Sequence, residues 1–445
     1  MWIIALLEIL LLSYNDNSLA TFLFLLSIYI IGLLFSGKRN YDPQGKARKA
    51  FLLLFIIYTS TAYVASLSFD LTRSFIVSDT TKYLGYLLHN TQIEPHWHNV
   101  YRCYFLFEDT NGLYEFLLYV ISAIANKHLG GATVYNLTLL QTGFGIFAGL
   151  ALFRILQRYQ RQSNSIRYTI LFSFCTSTLF FSCVIIRDIM VVTAYTWGFY
   201  YYLKPYSSKN VIILIVFTLL AWGVRIYSGL FMFSFVFAYI YINIKNAKWK
   251  YTIMPIFILL CILIGIFLFT NNYFEKTMAE IELYSDLSLQ SSIEQRGLYN
   301  YFFKLPHGFR ELGILLFTQI NPFPITISFI GAITFSHYFL ATIYSLSGIW
   351  FFISYSLIIL LIFKKGWRLL KTKDHIILLL ALLFLLANTA ELNVRRMLPV
   401  YPILFYYFLI LKRKMKWVNQ QQLRINLIII YTALNCFYIL IKQYN

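Results

Sequence analysis

Apolar runs of about 20 residues recur from one end of this sequence to the other, and each is long enough to cross a bilayer as one helix. The 445 residues are 59% hydrophobic and 12% charged, whereas soluble domains carry about 25% charged residues. A transmembrane β-barrel would instead show alternating segments of about ten residues. We therefore expect an all-α, polytopic membrane protein in which residues 1–445 form a single transmembrane domain.

The short loops between these runs alternate in charge, which predicts the orientation of the chain. About two thirds of the 37 lysine and arginine residues fall in every second loop, where the acidic residues are Asp42 and Asp374. Because loops rich in lysine and arginine stay cytoplasmic, we expect about thirteen transmembrane helices, a cytoplasmic N-terminus and a C-terminus on the outer face. The net charge of +19 then orients the chain and contacts anionic lipid headgroups, so nucleic acid is not an expected partner.

Two long loops are expected on the outer face, at residues 69–131 and 271–336. The first is polar and aromatic, but residues 113–126 within it form a short apolar run. If this run were a span, the next arginine-rich loop would move to the outer face, so we expect an amphipathic helix in the interface. In the second loop, a proline-rich break at 321–324 opposes a straight span and predicts an interfacial or re-entrant segment.

Asp79 lies just beyond the outer end of the third expected span, in the segment SDTTKY. A carboxylate at such a position, shielded by interfacial aromatic residues, can act as a general base toward an acceptor hydroxyl. In a helix, Tyr83 would share the face of Asp79 four residues later. A structural interpretation stays open, with Asp79 as a helix N-cap and Tyr83 as part of the interfacial aromatic belt.

The segment Glu94-Pro95-His96-Trp97-His98 combines a carboxylate, two imidazoles and an indole. Two histidines at this spacing could bind a metal ion, but a third clear ligand is missing, so we predict loop packing and no metal. Trp97 suits stacking on a sugar, and His98 and Glu94 are alternative general bases. A phosphate-binding glycine loop, GxSxG and HExxH are also missing, so we expect no cofactor and a lipid-linked sugar donor.

Several arginines lie near the outer boundary of the expected spans, although the positive-inside rule would keep them away. They are Arg187 beside Asp188, Arg225, and the pair Arg395 and Arg396. A charged side chain at membrane depth costs about 2.5–3.5 kcal/mol on insertion scales, which makes it a candidate for function. Arginine grips phosphate oxygens with a planar fork, so a lipid-linked phosphate or pyrophosphate would account for this group. Structural pairing with Glu391, Asp188 or helix C-terminal carbonyls is the alternative.

Three segments resemble bacterial surface-polysaccharide polymerases, namely the Wzy-type O-antigen polymerases and the related EpsG-like proteins. The segments are SDTTKY, GLYEFLLYVISAI and IIRDIMVVTAYTWGFYYYL. The resemblance implies an enzyme of the bacterial inner membrane that joins oligosaccharide repeat units, carried on undecaprenyl pyrophosphate, at the periplasmic face. It also implies a chain-length regulator as a membrane partner, and arginines of the outer face as the pyrophosphate ligands.

Two other function classes stay open. The segment ELNVRRMLPVYPIL is similar to the Arg-x-x-x-Pro segment in late spans of GT-C glycosyltransferases, which keep a catalytic aspartate early in their first outer loop. That resemblance implies transfer of a single sugar from a polyprenyl-phosphate donor, with Asp79 as the base. A transporter or lipid flippase should carry ionisable residues at mid-membrane in corresponding halves. Here they collect at the outer boundary, apart from Glu8, so a transporter is the least favoured class.

Overall fold

The computed structural model describes residues 1–37, 45–67, 94–106, 112–158, 162–243, 308–320, 334–362, 366–389, 394–414 and 420–444, with a few positions between 305 and 332. Every element of regular structure in these ranges is a helix. The 5 helical segments long and apolar enough to cross a membrane are Lys46–Ser66, Val134–Gln157, Ile226–Asn243, Phe335–Ile362 and Val394–Lys414. Shorter apolar helices accompany them. The chain is therefore a helical, multi-pass membrane protein, as predicted.

The helices are numbered here in chain order. The first half of the chain contains α1 (Trp2–Asn15), α2 (Leu19–Phe35), α3 (Lys46–Ser66), α4 (Glu94–Phe105), α5 (Gly112–His128), α6 (Val134–Gln157), α7 (Gln162–Cys175), α8 (Thr178–Ser182), α9 (Asp188–Tyr202), α10 (Ser208–Val224) and α11 (Ile226–Asn243). The second half contains α12 (Phe309–Thr318), α13 (Phe335–Leu346), α14 (Trp350–Ile362), α15 (Thr372–Ala387), α16 (Val394–Met397), α17 (Tyr401–Lys414) and α18 (Gln420–Tyr444). A 3-10 turn, Leu398–Val400, joins α16 to α17.

Asn15-Asp16-Asn17 separates two apolar runs of the sequence, which predicts an N-terminal helical hairpin, and the hairpin is present. Asn17 takes a left-handed φ of 49° between α1 and α2, and the Ser18 side chain caps α2 by accepting from the Thr21 amide. The Asp16 carboxylate accepts from Thr21 Oγ1 and from Thr133 Oγ1, the latter at 2.8 Å. Burial raises the pKa of Asp16, and these two hydroxyls oppose the shift. The hairpin turn is thus tied to the residue that caps α6.

Helices α6 and α9 form the centre of the bundle and are buried on nearly all sides, as expected for helices surrounded by others. Small residues let α6 approach its neighbours closely. The space that a Cβ would need at Gly145 is filled by Ser182 and by the Tyr58 ring at 2.8 Å. At Gly149 the same space is filled by Leu54 at 2.9 Å. The spacing of the central helices therefore depends on glycine.

The apolar length of residues 168–186 predicts one continuous span, but the helix is broken there. α7 ends at Cys175, and Ser177 takes a left-handed φ of 58° before the single turn of α8. Thr176 Oγ1 donates to the Phe172 carbonyl at 2.7 Å, which satisfies an acceptor at the end of α7. Backbone that is not helical is tolerated at membrane depth when protein groups satisfy it. The hydroxyl residues of this run supply such groups, and apolar periodicity did not reveal the break.

Hydrogen bonds fix the relative direction of the central helices. Tyr202, the last residue of α9, donates to the Lys373 carbonyl at the start of α15, at 2.9 Å. Tyr239, near the end of α11, donates to the Pro205 carbonyl just before α10, at 2.7 Å. Four helix ends therefore lie together at one end of the bundle: the end of α9, the start of α10, the end of α11 and the start of α15.

Helix α17 packs against α15 and runs in the opposite direction to it. Tyr407, near its middle, donates to the Asp374 carboxylate in the first turn of α15, at 3.3 Å, while Phe384 near the end of α15 packs against Tyr195 at 5.2 Å. The other end of the bundle therefore contains the starts of α9, α11 and α17 and the ends of α10 and α15. We call this the Asp188 end.

The two expected outer loops are described in part. Within 69–131, the segment 94–98 begins α4 instead of forming a loop, and the apolar run 113–126 lies in α5. Within 271–336, the described elements are α12 and the first residues of α13. The apolar run 251–270, which predicts a further span, lies outside the described residues.

We predict that Gly145→Ala destabilises the protein by about 1–3 kcal/mol, because the new methyl group would collide with the Tyr58 ring in a filled core. Gly143→Ala is the matched control on the same helix, since its Cβ would meet Ile28 at an ordinary contact distance of 3.4 Å. Thermal unfolding of both variants in detergent checks this. Equal melting temperatures for the two variants would contradict the packing argument.

Candidate functional site

Asp188 and Arg225 lie where helices change direction at the Asp188 end. Asp188 is the first residue of α9, preceded by a short irregular segment after α8. Arg225 separates α10 from α11, and its φ of −154° and ψ of 118° place it in extended backbone. An extended residue between two helices can project its side chain across the helix ends. The local chain geometry thus brings a carboxylate and a guanidinium to one level.

The two side chains form a buried ion pair. Arg225 Nη2 lies 2.7 Å from Asp188 Oδ1, and the side chains are 3% and 1% exposed, respectively. Arg225 Nη1 also donates to the Tyr227 hydroxyl at 3.1 Å. Neither Asp188 oxygen has an aligned hydrogen bond in the described part of the chain. The carboxylate therefore balances the charge of Arg225 while keeping acceptor capacity.

The pair lies within the apolar length of the bundle. Thr193 of α9 donates to the Phe144 carbonyl of α6 at 2.8 Å, and the two helices run in the same direction. Phe144 lies ten residues after the start of α6, and Asp188 precedes Thr193 by five residues. At 1.5 Å per residue, Asp188 therefore lies about 8 Å inside the bundle, measured from the level at which α6 begins. A buried ion pair at such depth is expensive, because the desolvation penalty is several kcal/mol per ion.

Arg187 occupies the N-cap position of α9 and is half-buried. The sequence left open that it might pair with its neighbour Asp188 in a turn. The structure shows an Asp188 ion pair with Arg225, which lies 37 positions further along the chain. Arg187 therefore immediately precedes the carboxylate that pairs with Arg225.

Arg395 and Arg396 belong to the single turn of α16, and both are half-buried. The 3-10 turn that follows them packs against α9, so these arginines are brought to the same end of the bundle as Asp188. Met397, the next residue, contacts Gln319 Nε2 at the end of α12 through its sulfur, at 3.5 Å. The arginine turn is thus held between the central helices and a helix of the second long loop.

Aromatic stacking supports the other side of this turn. Gln319 Oε1 accepts from Trp350 Nε1 at 2.8 Å, and the Trp350 ring stacks on Tyr401, the first residue of α17, with centroids 4.3 Å apart. Both aromatic residues are buried. These contacts fix the position from which α17 begins, and with it the position of Arg395 and Arg396.

Helix α4 docks directly onto the last turn of α10, beside Arg225. Tyr104 donates to the Leu219 carbonyl at 2.9 Å, and Trp222 Nε1 donates to the Cys103 carbonyl at 3.3 Å. Burial and, to a smaller extent, Cys103 raise the pKa of Tyr104 to about 12, so its hydroxyl keeps its proton and remains a donor. A Cβ at Gly223 would collide with this hydroxyl. The first long loop is therefore joined to the arginine site.

The remaining predicted site residues are not brought to the ion pair by any contact that the structure shows. Trp97 is 61% exposed on α4 and packs against Phe116 of α5 at 5.4 Å. His98 is exposed and stacks on Tyr101 at 6.3 Å. The three remaining predictions, Asp79, Tyr83 and the side chain of Glu94, lie outside the described residues.

No metal site is found among the described residues, where no group of three or more histidine, cysteine, aspartate or glutamate side chains converges. The prediction of no metal concerns the whole chain and stays a prediction, since residues 68–93 and 244–304 are not part of this search.

Sequence reasoning missed the residues that hold the site together. Tyr104, Trp222 and Gly223 join α4 to α10, and Tyr227 supports Arg225. One signal was available, because a glycine within an apolar helix marks a place where another element approaches closely. The segment WGVRIYSG contains two such glycines around Arg225, and at the second, Gly229, the space for a Cβ is filled by Trp222.

Comparison of the chain with family models, curated proteins and solved structures gives no match.

We predict that Asp188→Asn lowers the free energy of unfolding by about 3–5 kcal/mol, because it leaves the buried charge of Arg225 without its partner. The double variant Asp188→Asn/Arg225→Gln should lose less than the sum of the two single variants. Thermal unfolding of the four proteins in detergent completes the cycle. Strictly additive losses would show that the two side chains do not interact.

Proposed function

We propose that this chain is a polymerase that joins undecaprenyl-pyrophosphate-linked oligosaccharide repeat units into O-antigen or a related surface polysaccharide. The reaction takes place at the periplasmic face of a bacterial inner membrane. The observation that carries the proposal is the buried ion pair of Arg225 and Asp188 at the end of the bundle that also receives Arg187, Arg395 and Arg396.

A cluster of guanidinium groups at this end of an apolar bundle suits an anionic ligand. Arg187, Arg395 and Arg396 are half-buried there, at the same end as the ion pair of Arg225 and Asp188. Arginine is favoured over lysine for phosphate recognition because its planar fork donates two parallel hydrogen bonds. A lipid pyrophosphate presents several acceptor oxygens at the depth of the headgroups, which suits half-buried arginines.

The proposed reaction transfers a growing chain from its lipid carrier to the next lipid-linked unit. The acceptor hydroxyl oxygen bonds to the anomeric carbon, and the bond from that carbon to the pyrophosphate oxygen breaks. The lipid pyrophosphate leaves with the electron pair, and the arginines stabilise its developing charge. The hydroxyl proton passes to Asp79, with Glu94 or His98 as alternatives. Trp97 and Tyr83 offer aromatic faces for the sugars. The proposal requires no metal or cofactor.

The proposal includes a membrane topology for the chain. The chain would have about thirteen transmembrane helices, a cytoplasmic N-terminus and a periplasmic C-terminus, with 69–131 and 271–336 as periplasmic loops. The docking of α4 on the end of α10 supports this arrangement, because it places part of the first loop beside Arg225. A chain-length regulator would be a further membrane partner, together with the lipid-linked substrate and the bilayer.

A GT-C glycosyltransferase is the second candidate. The observation in its favour is the position of Arg395 and Pro399, which lie in the consecutive short turns that lead into α17 beside α9. Such an enzyme would add a single sugar from a polyprenyl-phosphate donor, again with Asp79 as the base. The two candidates share the arginine site and differ in the number of sugars transferred.

We predict that the purified protein converts a lipid-pyrophosphate-linked oligosaccharide into a ladder of products spaced by whole repeat units. Resolving the products by size is the measurement. Asp79→Asn is the matched negative variant, because an amide cannot accept the hydroxyl proton. A gain of one sugar only when a polyprenyl-phosphate sugar is supplied would establish the GT-C candidate, and unchanged substrate under both conditions would contradict both.

We also predict that Arg187→Lys lowers the polymerisation rate by about ten- to a hundredfold at unchanged expression, because lysine keeps the charge but loses the fork. Arg158→Lys is the matched control, since Arg158 is half-buried at the opposite end of the bundle over the Tyr200 ring, at 4.8 Å. Initial rates of ladder formation provide the comparison. Full activity of Arg187→Lys would make Arg187 a structural residue.

A further inference from the structure

Glu8 is a second carboxyl group inside the bundle, far along the chain from the arginine site. It lies on α1 with 9% of its surface exposed, on the face that also buries Ala5, Ile9 and Leu12. The opposite face of α1 is apolar and exposed, as expected for a helix surface in contact with lipid. Ionisable residues in membrane helices almost always point into the bundle and take part in function.

Two neighbouring hydroxyls of α3 surround the Glu8 carboxyl. Thr59 Oγ1 lies 2.8 Å from Glu8 Oε1, and Ser60 Oγ lies 2.5 Å from the same oxygen. Thr59 Oγ1 also lies 2.7 Å from the Phe55 carbonyl, one turn earlier in α3. All three distances are within the range of O–H···O hydrogen bonds.

These three contacts need three hydrogens, and the hydroxyls supply only two. A threonine or serine hydroxyl carries a single hydrogen, and the Phe55 carbonyl has none to give. The hydrogen of Thr59 cannot serve both Phe55 and Glu8. If Thr59 donates to Phe55 and Ser60 donates to Glu8, the hydrogen between Thr59 and Glu8 must come from the carboxyl group.

The second carboxyl oxygen gives an independent reason. Glu8 Oε2 is buried, and no hydrogen-bond donor reaches it in the described part of the chain. An unpaired carbonyl oxygen is tolerated in a low-dielectric interior far better than an unpaired ionised one. A neutral carboxylic acid therefore fits both oxygens, whereas a carboxylate fits neither the hydrogen count nor the surroundings.

Within the described ranges, the helices packed against α1 bring no neutralising cation to Glu8. The charged residues of α3 are Lys46, Arg48 and Lys49, and at 1.5 Å per residue they lie about 15 Å or more along the helix from Thr59. The other titratable side chains of α1 to α3 are Tyr14 and, at the end of the helix, Asp16 of α1, Tyr29 of α2, and Tyr58 and Tyr63 of α3, while Tyr135 of α6 also interacts with Glu8. Asp16 is acidic and the tyrosines are neutral, so this set favours the protonated form of Glu8.

We propose that Glu8 is a proton-binding site, in which a neutral carboxylic acid donates to Thr59, accepts from Ser60 and so joins α1 to α3. The ligand is a proton, and its site lies between α1 and α3, whereas the ion pair joins α9 to the residue between α10 and α11. Loss of the proton would leave a buried carboxylate without a cation at the contact between α1 and α3. The attachment of the N-terminal hairpin to the bundle then depends on pH.

Infrared spectroscopy of the full chain in lipid nanodiscs tests the proposal directly. At neutral pH the wild type should show the carbonyl stretch of a protonated carboxyl group that moves in heavy water and is missing from Glu8→Gln. Asp16→Asn is the control and should retain the band. A difference between wild type and Glu8→Gln confined to carboxylate bands would overturn the proposal.

Thermal unfolding gives a second readout. The unfolded chain releases the proton of glutamate with a pKa of about 4.3, while the folded chain still holds it. Stability should therefore fall as the pH rises above about 4.3 and level off once the folded chain also loses the proton. The melting temperature of the wild type should drop relative to that of Glu8→Gln as the pH rises from acidic to neutral values, because the amide mimics the neutral acid. Parallel pH profiles, or a Glu8→Gln protein that fails to fold, would overturn the proposal.

Discussion

The ion pair of Arg225 and Asp188 is the interaction on which the proposed site depends. It joins the first residue of α9 to the residue between α10 and α11, so three helices are held at one level by two side chains. Removing both charges from water costs several kcal/mol per ion, and a well-packed apolar pair can be at least as stable. We infer that the pair is present for its charge, because it allows an arginine fork to stay inside an apolar bundle.

Several features of the bundle make this position possible. Hydroxyl residues allow the chain between α7 and α9 to leave helical geometry within the bundle. Helix α9 can therefore begin deeper inside the bundle than α6 does. Gly223 lets α4 approach the end of α10, and Tyr104 and Trp222 fasten it there. The same packing that excludes water from the ion pair also brings part of the first long loop against it. A low dielectric strengthens the interaction of buried arginines with an anion, which is the feature that the proposed phosphate site would use.

The sequence predicted the helical membrane class and most helix positions, because a bilayer demands long apolar segments whatever their partners. The break at Ser177 and helix α4 were missed, since apolar length does not report where hydroxyls satisfy backbone groups or where a polar segment docks. For the site, the cost of a charged side chain at membrane depth identified Arg225 and Asp188 as candidates, each by itself. Their pairing could not be predicted, because Arg187 is adjacent in sequence and only the tertiary packing of α9 on α10 and α11 brings Arg225 to the carboxylate.

Asp188 and Glu8 are both buried in the bundle, which handles their charge in opposite ways. Asp188 lies beside a guanidinium and keeps oxygens with acceptor capacity, so its charge can take part in binding. In the part of the chain that the structure describes, Glu8 meets the hydroxyls of Thr59 and Ser60, which can hydrogen-bond a carboxyl group but cannot neutralise it. A charge without a counter-ion at that depth is far less favourable than a proton on the oxygen. The first carboxyl group thus stabilises a cation at the site, whereas the second remains neutral and holds a helix in place.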